Sequence, residues 1–183
     1  KFEQGGWLPI FPCWNSYTAA MIGDHCIAAI GDAYIKGVRN FDIEKAYEAM
    51  RKNAFESPAN KKDYQNGMGR RALQSYLKYG YIPLEDSVPD AFHTKEQVSR
   101  TLEYAYDDFV LSQVAKQLQK NEDYKLLSVR ALNYRNVIDP QTGYAQGRHT
   151  DGTFLKEQNA FQFAKFITEG APCHYTWYVP HDP

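Results

Sequence analysis

One acidic residue near the end of the sequence is surrounded by residues suited to proton transfer. Glu169 precedes Gly170, and Tyr175, Trp177 and Tyr178 follow shortly after it. Glycine lets the backbone turn sharply, and aromatic neighbours would remove water from the carboxyl group, as a general acid requires. Glu169 is therefore a candidate general acid. The alternative is an ordinary surface glutamate that precedes a buried aromatic segment.

A second carboxylate falls inside the apolar face of a predicted helix. At about 100° per residue, Asp107 projects between Val114 and Leu118, whereas Asp108 lies nearer the edge of that face. A carboxylate in such a position needs a partner. The sequence leaves two interpretations open for Asp107: a hydrogen bond to backbone or arginine, or a role in metal binding or catalysis.

Other chemistries have little support in the sequence. Cys13, Cys26 and Cys173 form no CxxC pair and have no zinc-finger spacing to histidine, so a disulfide framework or structural zinc is not indicated. The sequence contains no GxSxG elbow, GxGxxG motif or phosphate loop, which argues against esterase and nucleotide chemistry. His181 and Asp182 could ligate a metal, but a third ligand is missing.

Composition narrows the range of partners further. The chain has 183 residues, with 21 Lys and Arg against 22 Asp and Glu, and a formal charge of −1. This balance, without basic runs, indicates neither nucleic acid nor an anionic membrane surface as a partner. The stretch from 19 to 35 is broken by charged residues, so no membrane insertion is expected. The first residues lack the pattern of a secretion signal, which is therefore expected to be absent or removed upstream.

The elements that must position these residues are predicted to be helices. Apolar spacing and stop signals predict an all-α protein of roughly five helices in hairpin pairs, joined by long aromatic loops. Asp42 is the expected N-cap of one helix, and Thr94 with Gln97 forms a capping box at the start of the longest one. The predicted helices are Ala19–Lys36, one from Ile43, Arg70–Tyr79, Lys95–Gln119 and one from Asn121 to about Val137.

Several sequence segments match one family pattern in order over almost the whole chain. They are Gly6–Pro9, Met21–His25, Asp32–Gly37, Gly80–Pro83, Val98–Phe109, Thr168–Gly170 and Tyr175–Asp182. With these segments the sequence resembles glycoside hydrolase family 92, the calcium-dependent exo-acting α-mannosidases. It departs from the common family pattern at 171–174, which bears on linkage and leaving-group preference.

The resemblance implies a fold, a reaction and a set of site residues. The fold would be part of an (α/α)6 toroid packed against a β-sandwich, in a secreted or periplasmic enzyme. The reaction would be inverting hydrolysis of terminal α-linked mannose, with α-1,2 as the expected linkage, from mannan or N-glycan-type glycans. Glu169 matches the family's general acid. Calcium is the implied cofactor, with no ligand assigned here.

The 15% aromatic content is then open to a more specific interpretation. Most rings are expected to fill the core, because buried aromatic side chains contribute large apolar area. A few rings on loops are expected to shape the sugar site, where a π-face can stack on the C–H face of a sugar. These candidate substrate-binding residues are Trp7, Trp14, Tyr175 and Trp177.

The resemblance also implies that residues 1–183 are a partial catalytic domain. An inverting enzyme needs a second carboxylate as base, about 6.5–9.5 Å from the acid, and the family's base is expected downstream of this chain. The N-terminal sandwich and the rest of the toroid are expected outside it too. We therefore expect the chain alone to be inactive. Two alternatives remain: a non-catalytic helical carbohydrate-binding or interaction module, and another helical-toroid enzyme such as a lyase or phosphorylase.

Overall fold

The computed structural model describes all 183 residues, and its regular elements are all helices. The prediction of an all-α protein is confirmed. No helix is both long and apolar enough to cross a membrane. The helices are α1 Phe2–Gly5, α2 His25–Ile35, α3 Ile43–Phe55, α4 Lys61–Gln65, α5 Leu73–Tyr79, α6 Gln97–Gln117, α7 Asn121–Arg130, a 3₁₀ helix Ala131–Val137, and α8 Pro172–Tyr175.

Helix α6 is the central element, and 16 of its 21 residues are buried. Helices α2, α3 and α7 and the 3₁₀ helix all pack against it. The largest apolar cluster lies among α2, α3, α6 and α7 and includes Ile27, Met50, Leu111 and Leu127. Because α6 is covered on nearly every side, its polar residues must find partners inside the protein.

Two helix-end signals in the sequence are confirmed. The side chain of Asp42 accepts a hydrogen bond from the backbone N–H of Lys45 at 3.0 Å, which caps the start of α3. Gly37 has a φ of +95° just after α2, a conformation that glycine adopts without strain. The predicted start of α2 at Ala19 is wrong by six residues, because the residues before His25 form a loop.

The predicted capping box of α6 is also wrong. The helix begins at Gln97, and Glu96 before it has a left-handed φ of +42° and makes no side-chain cap. The first N–H groups of a helix lack partners within it. Here a later loop supplies them, since Glu96 N donates to the carbonyl of Lys165 at 3.1 Å and Val98 N to that of Phe166 at 3.1 Å.

The C-terminal segment, whose structure the sequence did not predict, packs against the beginning of α6. A second apolar cluster joins Val98 and Leu102 of α6 to Val137, Phe166 and Ile167. Residues 144–171 contain no helix, and the short α8 follows. The loop that carries Glu169 is therefore held by both backbone hydrogen bonds and apolar packing.

Candidate active site

Three loops come together at the end of the molecule where α6 begins. We call them the Trp14 loop (residues 9–24), the Phe92 loop (residues 84–96) and the Glu169 loop (residues 164–171). Trp14 and Phe92 line one groove, and His93 lies next to Glu169. Left-handed φ values at residues other than glycine concentrate here, a feature that often accompanies functional sites. Seven of the ten such residues lie in these loops: Trp14, Asn15, Val88, Asp90, Lys95, Glu96 and Glu169.

The backbone around Glu169 is fixed, whereas its side chain is exposed. The preceding Thr168 is buried, and its N–H donates to Oγ of Ser99 at 2.9 Å. On the other side, the carbonyl of Gly170 accepts from Ala164 N at 3.1 Å. Glu169 itself has a φ of +51°, and its side chain is 70% exposed. The fold therefore presents this carboxyl group at a defined place facing outward.

The aromatic enclosure that the sequence predicted around Glu169 is not formed. Trp177 is 82% exposed, and burial raises the pKa of the Tyr178 hydroxyl, with a further contribution from Glu103. Tyr175 is half-buried, with its hydroxyl near Ser99 and Thr168, and burial raises the pKa of that hydroxyl, with a smaller contribution from Glu103. These rings lie around the Glu169 loop but leave the carboxyl group open to solvent.

The two N-terminal tryptophans have opposite environments. Trp7 is only 6% exposed, and the ammonium group of Lys52 lies 4.4 Å from its ring centroid. Trp14 is 96% exposed at a left-handed position with a φ of +45°. Trp14 is thus free to contact a ligand, while the ring of Trp7 serves the core of this chain.

A buried carboxylate on α6 lies close to the start of α2. Oε2 of Glu103 is 3.7 Å from Nδ1 of His25, and it has no hydrogen-bond partner. Burial raises the pKa of Glu103, which His25 and Tyr178 partly oppose. A Cβ atom at Gly23 would come within 2.5 Å of the His25 imidazole and 2.9 Å of Glu103 Oε2. Only glycine fits this position without displacing them.

Further along α6, a buried cluster of acidic residues and arginines joins that helix to neighbouring segments. Oδ2 of Asp107 accepts from the backbone N–H of Asp24 at 2.9 Å, which confirms the structural interpretation of Asp107. Asp108 accepts from Arg70 at 2.8 Å and from Arg130 at 2.8 Å and 3.0 Å. The cluster holds three aspartates and two arginines, and Oδ1 of Asp107 has no partner. Burial raises the pKa of Asp107 well above its ordinary value, with Arg70 opposing and Asp24 adding to the shift.

The acidic side chains of this chain form no cluster suited to calcium. Calcium takes six to eight oxygen ligands, mostly carboxylates and carbonyls. No group of three or more His, Cys, Asp and Glu side chains is arranged to hold a metal ion. The densest carboxylate cluster is already paired with Arg70 and Arg130. His181 and Asp182 turn apart, since His181 is bonded to the carbonyl of Ala131 and Asp182 to Arg135.

Several residues of the site were missed by reasoning from sequence. The sequence contains no signal that would place His93 beside Glu169, because their loops are far apart in the chain. Ser99 was also missed, since its role depends on a loop that arrives later. Glu103, by contrast, lies four residues before Asp107 and therefore on the same face of the helix predicted from Lys95.

Comparison with known proteins gives a consistent result over the whole chain. Residues 1–183 match the model of the glycosyl hydrolase family 92 catalytic domain. A protein of Arthroderma benhamiae described as an uncharacterized secreted glycosidase is 31% identical over 154 residues, which is 81% of this chain and 19% of that protein.

Two solved structures from Bacteroides thetaiotaomicron are similar to the chain. The family GH92 α-mannosidase BT3965 matches with a TM-score of 0.79 and 38% identity, over 95% of this chain and 21% of that one. It has also been solved in complex with mannoimidazole. The family GH92 inverting mannosidase BT2199 matches with a TM-score of 0.86 and 30% identity, over 100% of this chain and 23% of that one. The prediction that these helical hairpins form part of an (α/α)6 toroid is confirmed, and the chain spans about a fifth of these relatives.

Proposed function

The chain belongs to glycosyl hydrolase family 92, and from that premise we propose that the protein containing it is an exo-acting, inverting α-mannosidase. Its substrates would be mannan or N-glycan-type glycans that end in α-linked mannose, with an α-1,2 linkage. The observation that carries the proposal is the presentation of Glu169, whose backbone is held by Ser99 and Ala164 while its carboxyl group is exposed.

Glu169 acts in this proposal as the general acid. Hydrolysis with inversion requires a carboxylic acid that protonates the glycosidic oxygen while a second carboxylate activates water on the opposite face of the sugar. Glu169 can reach a bound glycan because its side chain points out of the protein among three loops. Its ionisable neighbour is His93, whose Nε2 lies 3.8 Å from Oε1 of Glu169.

We assign the sugar contacts to the rings that the loops expose. Trp14 and Trp177 are almost fully exposed and can stack on a sugar face, and the half-buried Tyr175 packs against the second apolar cluster. Trp7 would act from within the core, by supporting the Trp14 loop: its carbonyl accepts from the hydroxyl of Tyr17 at 2.8 Å. The base, the β-sandwich and the remaining toroid helices are proposed to lie in other parts of the protein. On that basis residues 1–183 alone should be inactive.

Calcium and secretion are parts of the proposal that concern the whole protein. No group of three or more His, Cys, Asp and Glu side chains in this chain is arranged to hold a metal ion, so calcium is proposed to bind in other parts of the protein. A secreted or periplasmic location agrees with the description of the fungal relative as a secreted glycosidase. Loss of activity on chelation, and its recovery with added calcium, would test the first point.

The decisive experiment replaces Glu169 in the full-length enzyme. Glu169→Gln keeps the shape of the side chain but removes the acidic proton, so turnover of an α-mannobiose should fall by about a hundredfold or more. Glu157→Gln is the matched control, because Glu157 is also exposed with a left-handed φ, of +64°. Equal activity of the two variants would refute the assignment of Glu169.

Product analysis separates the proposed reaction from its alternatives. Proton NMR during hydrolysis should detect β-mannose first, and a panel of α-1,2-, α-1,3- and α-1,6-linked mannobioses should be cleaved with preference for α-1,2. An unsaturated sugar formed by elimination would indicate a lyase, and a sugar phosphate would indicate a phosphorylase. Mannoside binding without hydrolysis by the full-length protein would indicate a carbohydrate-binding module.

A further inference from the structure

An open groove lies between the Trp14 loop and the Phe92 loop. It has a volume of about 790 Å³. Its walls combine aromatic rings with neutral polar groups, namely Phe11, Trp14, Tyr17, Phe92, Gln65 and Asn66. Trp14 and Phe92 expose most of their surface, 96% and 77%, which is unusual for large apolar side chains in the absence of a ligand or partner.

The groove begins one side chain away from Glu169. The rings of Phe92 and His93 are in edge contact with centroids 5.1 Å apart, and His93 Nε2 lies 3.8 Å from Oε1 of Glu169. Phe92 therefore belongs both to the wall of the groove and to the immediate surroundings of the carboxyl group. A ligand that extends from Glu169 past His93 would enter the groove.

The position of the acid decides which part of a substrate would lie there. A general acid donates its proton to the glycosidic oxygen, the atom that joins the departing group to the mannose being released. The departing group must therefore leave from the side on which the acid stands. Building on the proposed function, we propose that this groove is the subsite for the leaving-group portion of the glycan.

The chemistry of the walls fits a neutral oligosaccharide. Asp90 is the one charged residue of the lining, and its Oδ1 is occupied by Nε2 of Gln65 at 3.2 Å. Aromatic faces suit the apolar faces of sugars, and amide and hydroxyl groups suit their hydroxyls.

The test compares two substrates in the full-length enzyme. An α-linked mannotriose fills the groove with its departing disaccharide, whereas α-mannosyl fluoride has no sugar to place there. For Trp14→Ala and Phe92→Ala we expect kcat/KM on the mannotriose to fall about tenfold or more. On α-mannosyl fluoride Phe92→Ala should stay within about twofold of the wild type. Phe161→Ala is the control, since Phe161 is equally exposed but lies outside the groove.

Each outcome bears on a different statement. A loss confined to the mannotriose supports the subsite. Equal losses on both substrates, or none on either, would overturn it, the second result meaning that another part of the protein fills the groove. A wild-type enzyme that cleaves neither substrate would overturn the proposed function and this inference with it. Activity of the wild type with unaffected variants would overturn the subsite alone.

Discussion

His93 and Glu169 are brought side by side by two loops that are 76 residues apart, with Nε2 of the imidazole 3.8 Å from Oε1 of the carboxyl group. The other ring nitrogen, Nδ1, lies 3.4 Å from Oε1 of Glu96. The backbone of His93 is fixed as well, because Nη2 of the buried Arg100 donates to its carbonyl at 2.7 Å. The imidazole therefore gives the exposed Glu169 side chain a neighbour in a defined position.

We predict that His93 positions Glu169 rather than acting on substrate itself. In the full-length enzyme, His93→Ala should lower kcat on an α-mannobiose about tenfold, since geometry of the proton donor controls transfer. His93→Gln keeps an N–H donor within reach of the carboxyl group and should restore most of that loss. The pH profile of kcat should also move in the alanine variant. Equal losses in the two variants, with unchanged profiles, would contradict a positioning role.

A second prediction concerns the contact that holds the backbone before Glu169. Ser99→Ala removes the acceptor for the buried N–H of Thr168, which should cost about 1–3 kcal/mol in the free energy of unfolding. It should also lower kcat on an α-mannobiose more than on α-mannosyl fluoride, whose leaving group needs less help from an acid. Denaturant unfolding and steady-state kinetics of the full-length protein measure the two effects.

The control for this variant is Ser128→Ala on α7. Ser128 is partly exposed, and its substitution should change the free energy of unfolding by no more than about 0.5 kcal/mol. If Ser99→Ala lowers stability but affects both substrates equally, Ser99 supports the fold and does not place the acid. That result would remove it from the proposed site.

The parts of this fold that sequence predicted well depend on local interactions. Asp42 caps α3 through a residue three positions away, and Gly37 ends its helix through its own φ angle. The helix α6 was predicted over nearly its full length because apolar spacing alone identifies it. Asp107 was expected inside the apolar face, and the structure confirms a backbone partner for it.

The parts that sequence missed depend on contacts between distant segments. Thr94 does not cap the start of α6, because the carbonyls of residues 165 and 166 accept hydrogen bonds from the N–H groups there. The side chain of Glu169 is 70% exposed although three aromatic residues follow it closely in the sequence, and no sequence periodicity predicts that exposure. The burial of Trp7 and the exposure of Trp14, seven residues apart in one loop region, likewise follow from tertiary packing.

The last prediction compares two adjacent aspartates in the buried cluster. Asp108 accepts hydrogen bonds from Arg70, Arg130 and Tyr76, so Asp108→Asn leaves Arg130 without its counter-charge and Arg70 with Asp24 alone. Breaking a buried ion pair from one side costs about 3–5 kcal/mol. Asp107 accepts a single backbone hydrogen bond and has an unpartnered Oδ1. Asp107→Asn keeps the acceptor and should be close to neutral or stabilising.

The two variants should also differ in how stability depends on pH. Burial raises the pKa of Asp107 in the folded protein above the unfolded value of about 3.9, so the folded state binds more protons above that pH. The wild type therefore loses stability as pH rises from about 4 toward the folded pKa. Residue 107 of the Asp107→Asn variant cannot titrate. As pH rises over this range, the free energy of unfolding of the variant should therefore increase relative to that of the wild type. Denaturant unfolding at pH 4, 5, 6 and 7 measures the difference, and a constant gap between the two proteins would mean that Asp107 is ionised in the folded state.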